Sequence, residues 1–292
     1  MPEIDSQPLS FVLPAKNEER GLSLSLPKLR AAFPDAEIIV VDDGSTDSTG
    51  EIALSFGARV VRHPISMGNG AAIKSGARAA SHPIIVFMDA DGQHDPADAR
   101  KLVAQLSQGF DMAVGARNRE GQASFGRWAA NALYNWLASQ ISNYPVEDLT
   151  SGFRAVRADK FRQFLPLLPN GFSYPTTSTM AFLRSGYPVA YLPITVSKRL
   201  GKSHIRPLQD GLRFLLIIFK VATLFSPMKL FVPVAALFAT LGLANYAHTF
   251  FTDGRFTNMS TLMLSASVIV FLIGLISEQI TGLLYSTISR RQ

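Results

Sequence analysis

The chain has 292 residues, no cysteine and a formal net charge of +6. The absence of cysteine excludes disulfides and thiolate metal sites, and the N-terminal stretch Met1–Ser10 lacks the basic-then-apolar pattern of a signal peptide. Hydrophobic residues make up 47% and charged residues 17%, with the apolar excess collected after about Arg213, so a soluble region is expected to precede a membrane-embedded one, and the basic residues that flank the apolar part fit membrane topology rather than nucleic-acid binding.

In chain order, Leu9 to Leu13 predicts a first strand that runs into Pro14-Ala15-Lys16-Asn17-Glu18-Glu19. A helix is expected to open there, with Leu22, Leu26 and Leu29 on its apolar face, Asn17 as its cap and both Glu in its first turn. Glu37 to Val41 predicts a second strand, ending in Asp42-Asp43-Gly44-Ser45-Thr46-Asp47. An acid there can hold a ribose hydroxyl or a base N–H; a capping role suits Asp47 better than Asp43. Ala58 to Val61 predicts a third strand. Gly68-Asn69-Gly70 then opens a helix whose N–H groups could approach an anion, with Lys74 one turn in.

Pro83 to Met88 reads as a buried strand that stops in Asp89-Ala90-Asp91-Gly92-Gln93-His94. Two carboxylates at the carboxyl end of a strand lie where open α/β sheets bind ligands. They can share one cation only if the chain turns, which Gly92 permits. Oxygen ligands suit Mg²⁺ or Mn²⁺; a solvated turn would use the same residue types. Asp111 to Gly115 predicts another strand, ending in Ala116-Arg117. Ser124 to Ile141 predicts a helix with Arg127 and Asn131 one turn apart, and with Trp128, Leu133 and Trp136 expected to pack. In Asp148-Leu149-Thr150-Ser151-Gly152-Phe153-Arg154, hydroxyls, a glycine and an arginine come together. Arg117, Arg127 and Arg154 could converge on a phosphate, although three unrelated surface arginines would read the same. A late strand, Val189 to Val196, gives way to the basic, glycine-containing loop Lys198-Arg199-Leu200-Gly201-Lys202-Ser203-His204, expected to be mobile and to close over a diphosphate. Strand, acidic loop and helix in series predict an α/β fold with a doubly wound, mostly parallel sheet.

Pro207 to Phe225 has an amphipathic helical pattern expected to lie in a membrane interface. Pro227 breaks it. Met228 to Phe251 and Ser260 to Tyr285 are each long enough for the roughly 20 residues of a bilayer span, and the short connection Thr252 to Thr257 makes them a hairpin. The expected organisation is a domain over 1–206, interface helices over 207–226 and a transmembrane hairpin over 227–292. Basic residues flanking the hairpin outnumber those in its loop, so both ends and the soluble domain are expected on the cytoplasmic side of the cell membrane.

Five segments in one order carry a resemblance: Phe11-Val12-Leu13-Pro14-Ala15-Lys16-Asn17-Glu18-Glu19, Val40-Val41-Asp42-Asp43-Gly44-Ser45-Thr46-Asp47, Asn69-Gly70-Ala71-Ala72 with Gly76, Asp89-Ala90-Asp91-Gly92-Gln93-His94, and Thr150-Ser151-Gly152-Phe153-Arg154. Together they resemble family 2 glycosyltransferases of the polyprenyl-phosphate group, which includes dolichol-phosphate mannose synthases. The resemblance implies a GT-A fold, a nucleotide-sugar donor (UDP- or GDP-linked), a divalent cation, Mg²⁺ or Mn²⁺, and inverting transfer to a polyprenyl phosphate. It implies Pro14, Ala15, Glu18 and Asp43 at the nucleoside, Asn17, Gly70, Lys74, Asp89, Ala90, Asp91, Arg199 and Lys202 elsewhere along the donor, and Asp89, Asp91 and Gln93 on the cation. Arg117, Arg127, Asn131, Ser151 and Arg154 would face the acceptor phosphate, and Asp89, Asp91, Arg117 and Arg127 would be catalytic. Asn131 stands where relatives often carry a smaller hydroxyl residue, and Ser277-Glu278-Gln279 departs from the Gly-Glu ending common among them. Two other readings are a processive polysaccharide synthase, whose Gln-x-x-Arg-Trp signature is not matched by Gln122 and Arg127-Trp128, and a non-catalytic, membrane-tethered nucleotide-sugar-binding partner. The oligomeric state is open, a homo-oligomer included.

Overall fold

Seven strands form one sheet in the order β3-β2-β1-β4-β6-β5-β7. They are β1 (Leu9–Ala15), β2 (Glu37–Asp42), β3 (Arg59–Arg62), β4 (Ile84–Phe87), β5 (Met112–Arg117), β6 (Arg154–Arg157) and β7 (Val189–Ile194). The structure is a computed structural model; it describes residues 8–117, 125–171, 173–195, 219–220 and 222–289, with side chains except at 125–130 and 287–289. The chain divides into two units, 1–206 and 207–292.

In the first unit, α1 (Glu19–Ala32), α2 (Thr49–Ser55), α3 (Asn69–Ala79), α4 (Pro96–Ser107) and α5 (Phe125–Ser142) follow the first five strands in turn. The central strands are covered on both faces, so Phe11, Val12, Leu13, Ile39, Val40, Ile85, Val86 and Phe87 are all fully buried, as a continuous apolar run in a parallel sheet requires. Leu22, Leu26 and Leu29 of α1 have no exposure, on the face the spacing predicted. Parallel pairing joins β3 to β2, β2 to β1 and β1 to β4. The chain leaves β1 toward β2 and returns to its other side at β4. That reversal is a topological switch point, where the carboxyl ends diverge and a crevice opens.

One strand is absent from the sequence reading. β6 enters antiparallel between β4 and β5, with Ala155 opposite both Val86 and Ala113. It is four residues long and bounded by Arg154 and Arg157, so it lacks the apolar run that marks the other central strands. Short helices α6 (Ala158–Gln163) and α7 (Tyr174–Arg184) follow it.

In the second unit, helices Pro227–Asp253 and Asn258–Ser289 are joined at Gly254, whose φ of +66° closes the first of them. Both are long and apolar enough to cross a membrane, with mean hydropathies of 1.7 and 2.3. Small and polar residues bring them together: a Cβ on Gly242 would lie 3.0 Å from Leu264, and one on Gly274 would lie 2.8 Å from Phe231. Ser267 Oγ donates to Ala235 O at 2.8 Å and Asn245 Nδ2 to Ser260 Oγ at 2.9 Å, the kind of close packing and polar bonding that joins helices in lipid. Residues 222–225 are helical before Pro227; the rest of the expected interface helix, 207–218 and 221, lies outside the described residues.

Candidate active site

Three strand ends meet at the switch point and are tied to one another. Asp43 N–H donates to Ala15 O at 2.9 Å, which joins the end of β2 to that of β1. Asn17 completes the link: its Oδ1 accepts from Thr46 N at 2.8 Å and its own N–H donates to Ser45 Oγ at 3.0 Å. Asn17 has φ +55°, a left-handed conformation that Asn tolerates better than most side chains. It is therefore not the cap of α1, as the sequence suggested. Glu18 occupies that position without a side-chain capping bond, and the Asn17 amide is spent on the neighbouring loop.

Asp43 is the hub of the second loop. Oδ1 accepts from His63 Nδ1 at 2.7 Å and Met67 N at 2.8 Å, and Oδ2 from Ser66 Oγ at 2.8 Å and Gly68 N at 2.9 Å. An ionised carboxylate only accepts, so His63 donates through Nδ1 and its Nε2 faces Ser75 Oγ at 2.9 Å. Burial raises the Asp43 carboxyl, but the bonds from His63, Met67, Ser66 and Gly68 outweigh it and bring it down to about 2. Four bonds fill the roughly four lone-pair positions of a carboxylate. Asp43 thus shapes residues 63–68 into a wall of the crevice, a role the sequence did not disclose, and His63 is a site residue that sequence reasoning missed.

The turn after β4 carries the two acids. Gly92 has φ +74°, and Gln93 N donates to Asp91 Oδ1 at 3.2 Å. Asp95 then caps α4 through Ala97 N at 2.9 Å, with Pro96 at the first helical position. The turn packs on α1 because residue 21 is glycine: a Cβ there would lie 2.3 Å from Ala90 O. From the other side, Asp89 rests on Gly152, where a Cβ would lie 3.1 Å from both carboxylate oxygens. His94 stacks on Phe153 at 4.7 Å and an interplanar angle of 17°, and its Nε2 stands 3.5 Å from Asp89 Oδ2.

The resulting crevice, of about 400 Å³, is lined by Pro14, Ala15, Lys16, Glu18, Asp43, Ser66, Gly68, Asn69, Asp89, Ala90 and Asp91. Asn17 borders an adjoining hollow along α1 that shares Glu18 and Asp91. Among the described residues no group of three or more His, Cys, Asp or Glu forms a closed metal cage. The donor set present, two carboxylates on an open crevice, fits a hard cation that completes its shell with water and substrate phosphate.

Two residues expected along the donor do not reach this crevice. A Cβ on Gly70 would lie 2.0 Å from Pro169 O, and Ala71 N donates to Asn170 O at 2.9 Å. Lys74 Nζ donates to Leu168 O at 3.2 Å and to Asn170 Oδ1. Segment 168–171 therefore occupies the start of α3, where the sequence suggested an anion.

Arg117 ends β5 and is held edge-on by Asp148, with Nε 2.7 Å from Oδ2 and Nη2 2.9 Å from Oδ1. Burial would raise the Asp148 carboxyl and lower the Arg117 guanidinium, but their pairing overrides both, leaving Asp148 below and Arg117 above the usual range. Arg154 does not join Arg117. It is fully buried in β6, donating through Nη1 to Pro175 O at 3.0 Å, Ser178 Oγ at 2.8 Å and Thr179 Oγ1 at 3.1 Å, and through Nη2 to Ser151 O. A guanidinium enclosed in this way cannot meet a phosphate arriving from solvent, so its expected acceptor role is withdrawn. Ser151 is buried as well. Asn131 is half-buried on α5. Leu133 and Trp136, expected to pack, are 55% and 56% exposed on that helix. The Arg127 side chain, Arg199, Lys202 and the rest of the basic loop lie outside the described residues.

Comparison with known proteins points the same way. The glycosyl transferase family 2 profile matches residues 10–165, and the GtrB C-terminal hairpin profile matches residues 226–283. A polyprenol monophosphomannose synthase of Mycolicibacterium smegmatis is 30% identical, with 72% of this chain and 84% of that protein covered. An undecaprenyl-phosphate mannosyltransferase of Micrococcus luteus is also 30% identical, over 66% of this chain and 85% of that protein. Among solved structures, glucosyl-3-phosphoglycerate synthase from Mycobacterium tuberculosis, in complex with Mn²⁺, UDP-glucose and phosphoglyceric acid, superposes with a TM-score of 0.60 at 26% identity, covering 74% of this chain and 78% of that one.

Proposed function

The chain belongs to glycosyl transferase family 2, is a glycosyltransferase, and from that premise we propose that it transfers one sugar from a UDP- or GDP-sugar to a polyprenyl phosphate at the cytoplasmic face of a membrane. The observation that carries the reading is the pair Asp89 and Asp91 on a crevice at the β1/β4 switch point, in a chain that also has an apolar helical hairpin. Asp89 and Asp91, with Gln93 beside them, would hold Mg²⁺ or Mn²⁺ on the donor diphosphate, where the ion screens the charge of the departing nucleoside diphosphate.

The protein's own residues do the rest. Pro14, Ala15 and the wall shaped by Asp43 receive the nucleoside, with Glu18 on the same crevice as the acids. The acceptor, a phosphate monoester with a second pKa of about 6, is already largely an oxyanion at neutral pH. It needs alignment more than a base, and Arg117, with Arg127 and Asn131, supplies it. One acceptor oxygen bonds to the anomeric carbon as the bond to the diphosphate oxygen breaks, and the anomer inverts. Arg199 and Lys202 would offset charge on the donor diphosphate.

A second reading comes from the solved neighbour crystallised with phosphoglyceric acid: a small, water-soluble phosphate ester as acceptor. The hairpin favours the lipid. Purified full-length chain with Mn²⁺ is offered UDP-glucose, GDP-mannose and related donors with equal amounts of undecaprenyl phosphate and 3-phosphoglycerate. Label in the organic phase is expected; label confined to the aqueous ester would select the second reading.

A further inference from the structure

We infer that Asp148 is a positioning residue that fixes which nitrogen of Arg117 meets the acceptor phosphate; this rests on the reading of Arg117 given above. A guanidinium has five N–H donors: one on Nε and two on each terminal nitrogen. Nε of Arg117 donates to Asp148 Oδ2 at 2.7 Å. Nη2 donates to Asp148 Oδ1 at 2.9 Å and to Thr150 Oγ1. These bonds commit Nε and both Nη2 hydrogens, so Nη1 is the nitrogen left to a ligand. The Arg117 side chain is 32% exposed, against 8% for Asp148, so the open part of the pair belongs to the arginine.

The carboxylate is itself held by backbone. Asp148 Oδ1 accepts from Thr150 N at 3.0 Å and Ser151 N at 3.1 Å, and Oδ2 from Arg117 N at 3.2 Å. Three N–H groups of the main chain make this a fixed mount rather than a pair of mobile side chains. The next residue along, Gly152, is the one on which Asp89 rests. A single five-residue segment, 148–152, thus sets both an acceptor-facing nitrogen and a donor-side carboxylate, which registers the two substrates to each other.

Two consequences follow for recognition. With its Nε/Nη2 edge on Asp148, Arg117 makes a single-nitrogen contact with a phosphate oxygen instead of the two-pronged fork of a free arginine. The pair is also close to neutral, so Arg117 gives a directed, short-range bond rather than long-range attraction, and other cations must balance the acceptor's charge.

The test uses full-length chain in detergent with Mn²⁺, undecaprenyl phosphate and whichever of UDP-glucose or GDP-mannose the unaltered chain transfers. Because misplacement of an aligning group by about 1 Å can cost about 100-fold, Asp148→Asn is expected to lower kcat by about 10- to 100-fold while the donor KM stays within about twofold. Thr150→Val keeps the three backbone bonds to the carboxylate, removes the bond from Thr150 Oγ1 to Asp148 Oδ1 (3.1 Å) and releases one Nη2 hydrogen. It is expected to lower kcat by a smaller factor, again with donor KM unchanged, and it carries the test if Asp148→Asn does not fold. Unchanged kcat in the variants, or equal damage to kcat and donor KM, overturns the inference, the latter because a collapse of the whole crevice is a structural effect. An unaltered chain that uses no lipid phosphate overturns the parent reading, and this one with it; an active unaltered chain with unimpaired variants overturns this inference alone.

Discussion

Asp89 is constrained from two sides that a sequence does not reveal. Gly152 lies beneath its carboxylate and His94 stands at its flank, pressed there by Phe153. Adding a methyl group at residue 152 would place it 3.1 Å from both oxygens, so Asp89 would have to give by a few tenths of an ångström. Gly152→Ala is therefore expected to weaken Mn²⁺ binding in the presence of UDP by about tenfold or more, the scale of a disturbed ligand support, with little change in melting temperature. Titration calorimetry showing wild-type Mn²⁺ affinity in that variant would contradict the placement. Asp91→Ala removes a proposed metal ligand outright, and its transfer rate is expected to fall by on the order of 10² or more; near-normal turnover would refute the metal assignment. Arg154 teaches the converse. Its place beside the hydroxyls of Thr150 and Ser151 and the glycine at 152 suggested a phosphate contact, whereas its neighbours in space, Pro175, Ser178 and Thr179, come from α7, remote in sequence.

Among elements, the loops after β1 and β2 act as one body through Asn17, Ser45, Thr46 and Asp43. The Asp43 carboxyl lies at about 2 in the folded protein, below the roughly 3.9 of an unfolded Asp. A lowered folded value means that its contribution is present above pH of about 4 and is lost as pH falls toward 2. Glu37, Asp42 and Asp148 are shifted the same way. Melting of the first unit is thus expected to weaken across that window, and Asp43→Asn to be less stable at neutral pH with a flatter acid limb. An acid limb as steep as wild type would show that Asp43 is not a main contributor. The strands β1, β2, β4 and β5, and the acidic ends of β2 and β4, were legible because each strand is an apolar run that stops in polar residues. β6 was not, because its identity comes from the gap between β4 and β5 and not from its own four residues. The start of α3 misled for a related reason: glycines there serve a close crossing by segment 168–171, and glycine spacing alone does not distinguish a neighbouring backbone from a phosphate. Asp148 stood in a recognised run, yet its pairing with Arg117 spans 31 positions, beyond any local pattern.

At the scale of the whole molecule, a crevice proposed to take a nucleotide sugar and an apolar hairpin occupy one chain. The hairpin was the most legible part of the sequence, since length and hydropathy alone define it. The crevice was legible in its acids and in Pro14, Ala15 and Glu18, and not in the wall that Asp43 shapes from residues 63–68. The proposed function joins the two units by chemistry: a donor that needs a cation and an acceptor that needs a bilayer. Replacing Arg117 by Ala is expected to raise the KM for lipid phosphate and lower kcat while leaving donor binding near wild type; an unchanged response to lipid concentration would remove Arg117 from the acceptor site. The most direct measurement is incorporation of labelled sugar into undecaprenyl phosphate by full-length chain in lipid nanodiscs, with Mn²⁺ or with excess chelator, for the unaltered protein and for Asp89→Ala and Asp91→Ala. The account predicts organic-phase label that requires the divalent ion and both acids. Transfer that persists with chelator or without the acids, or the absence of lipid-linked label with any nucleotide sugar, would contradict it.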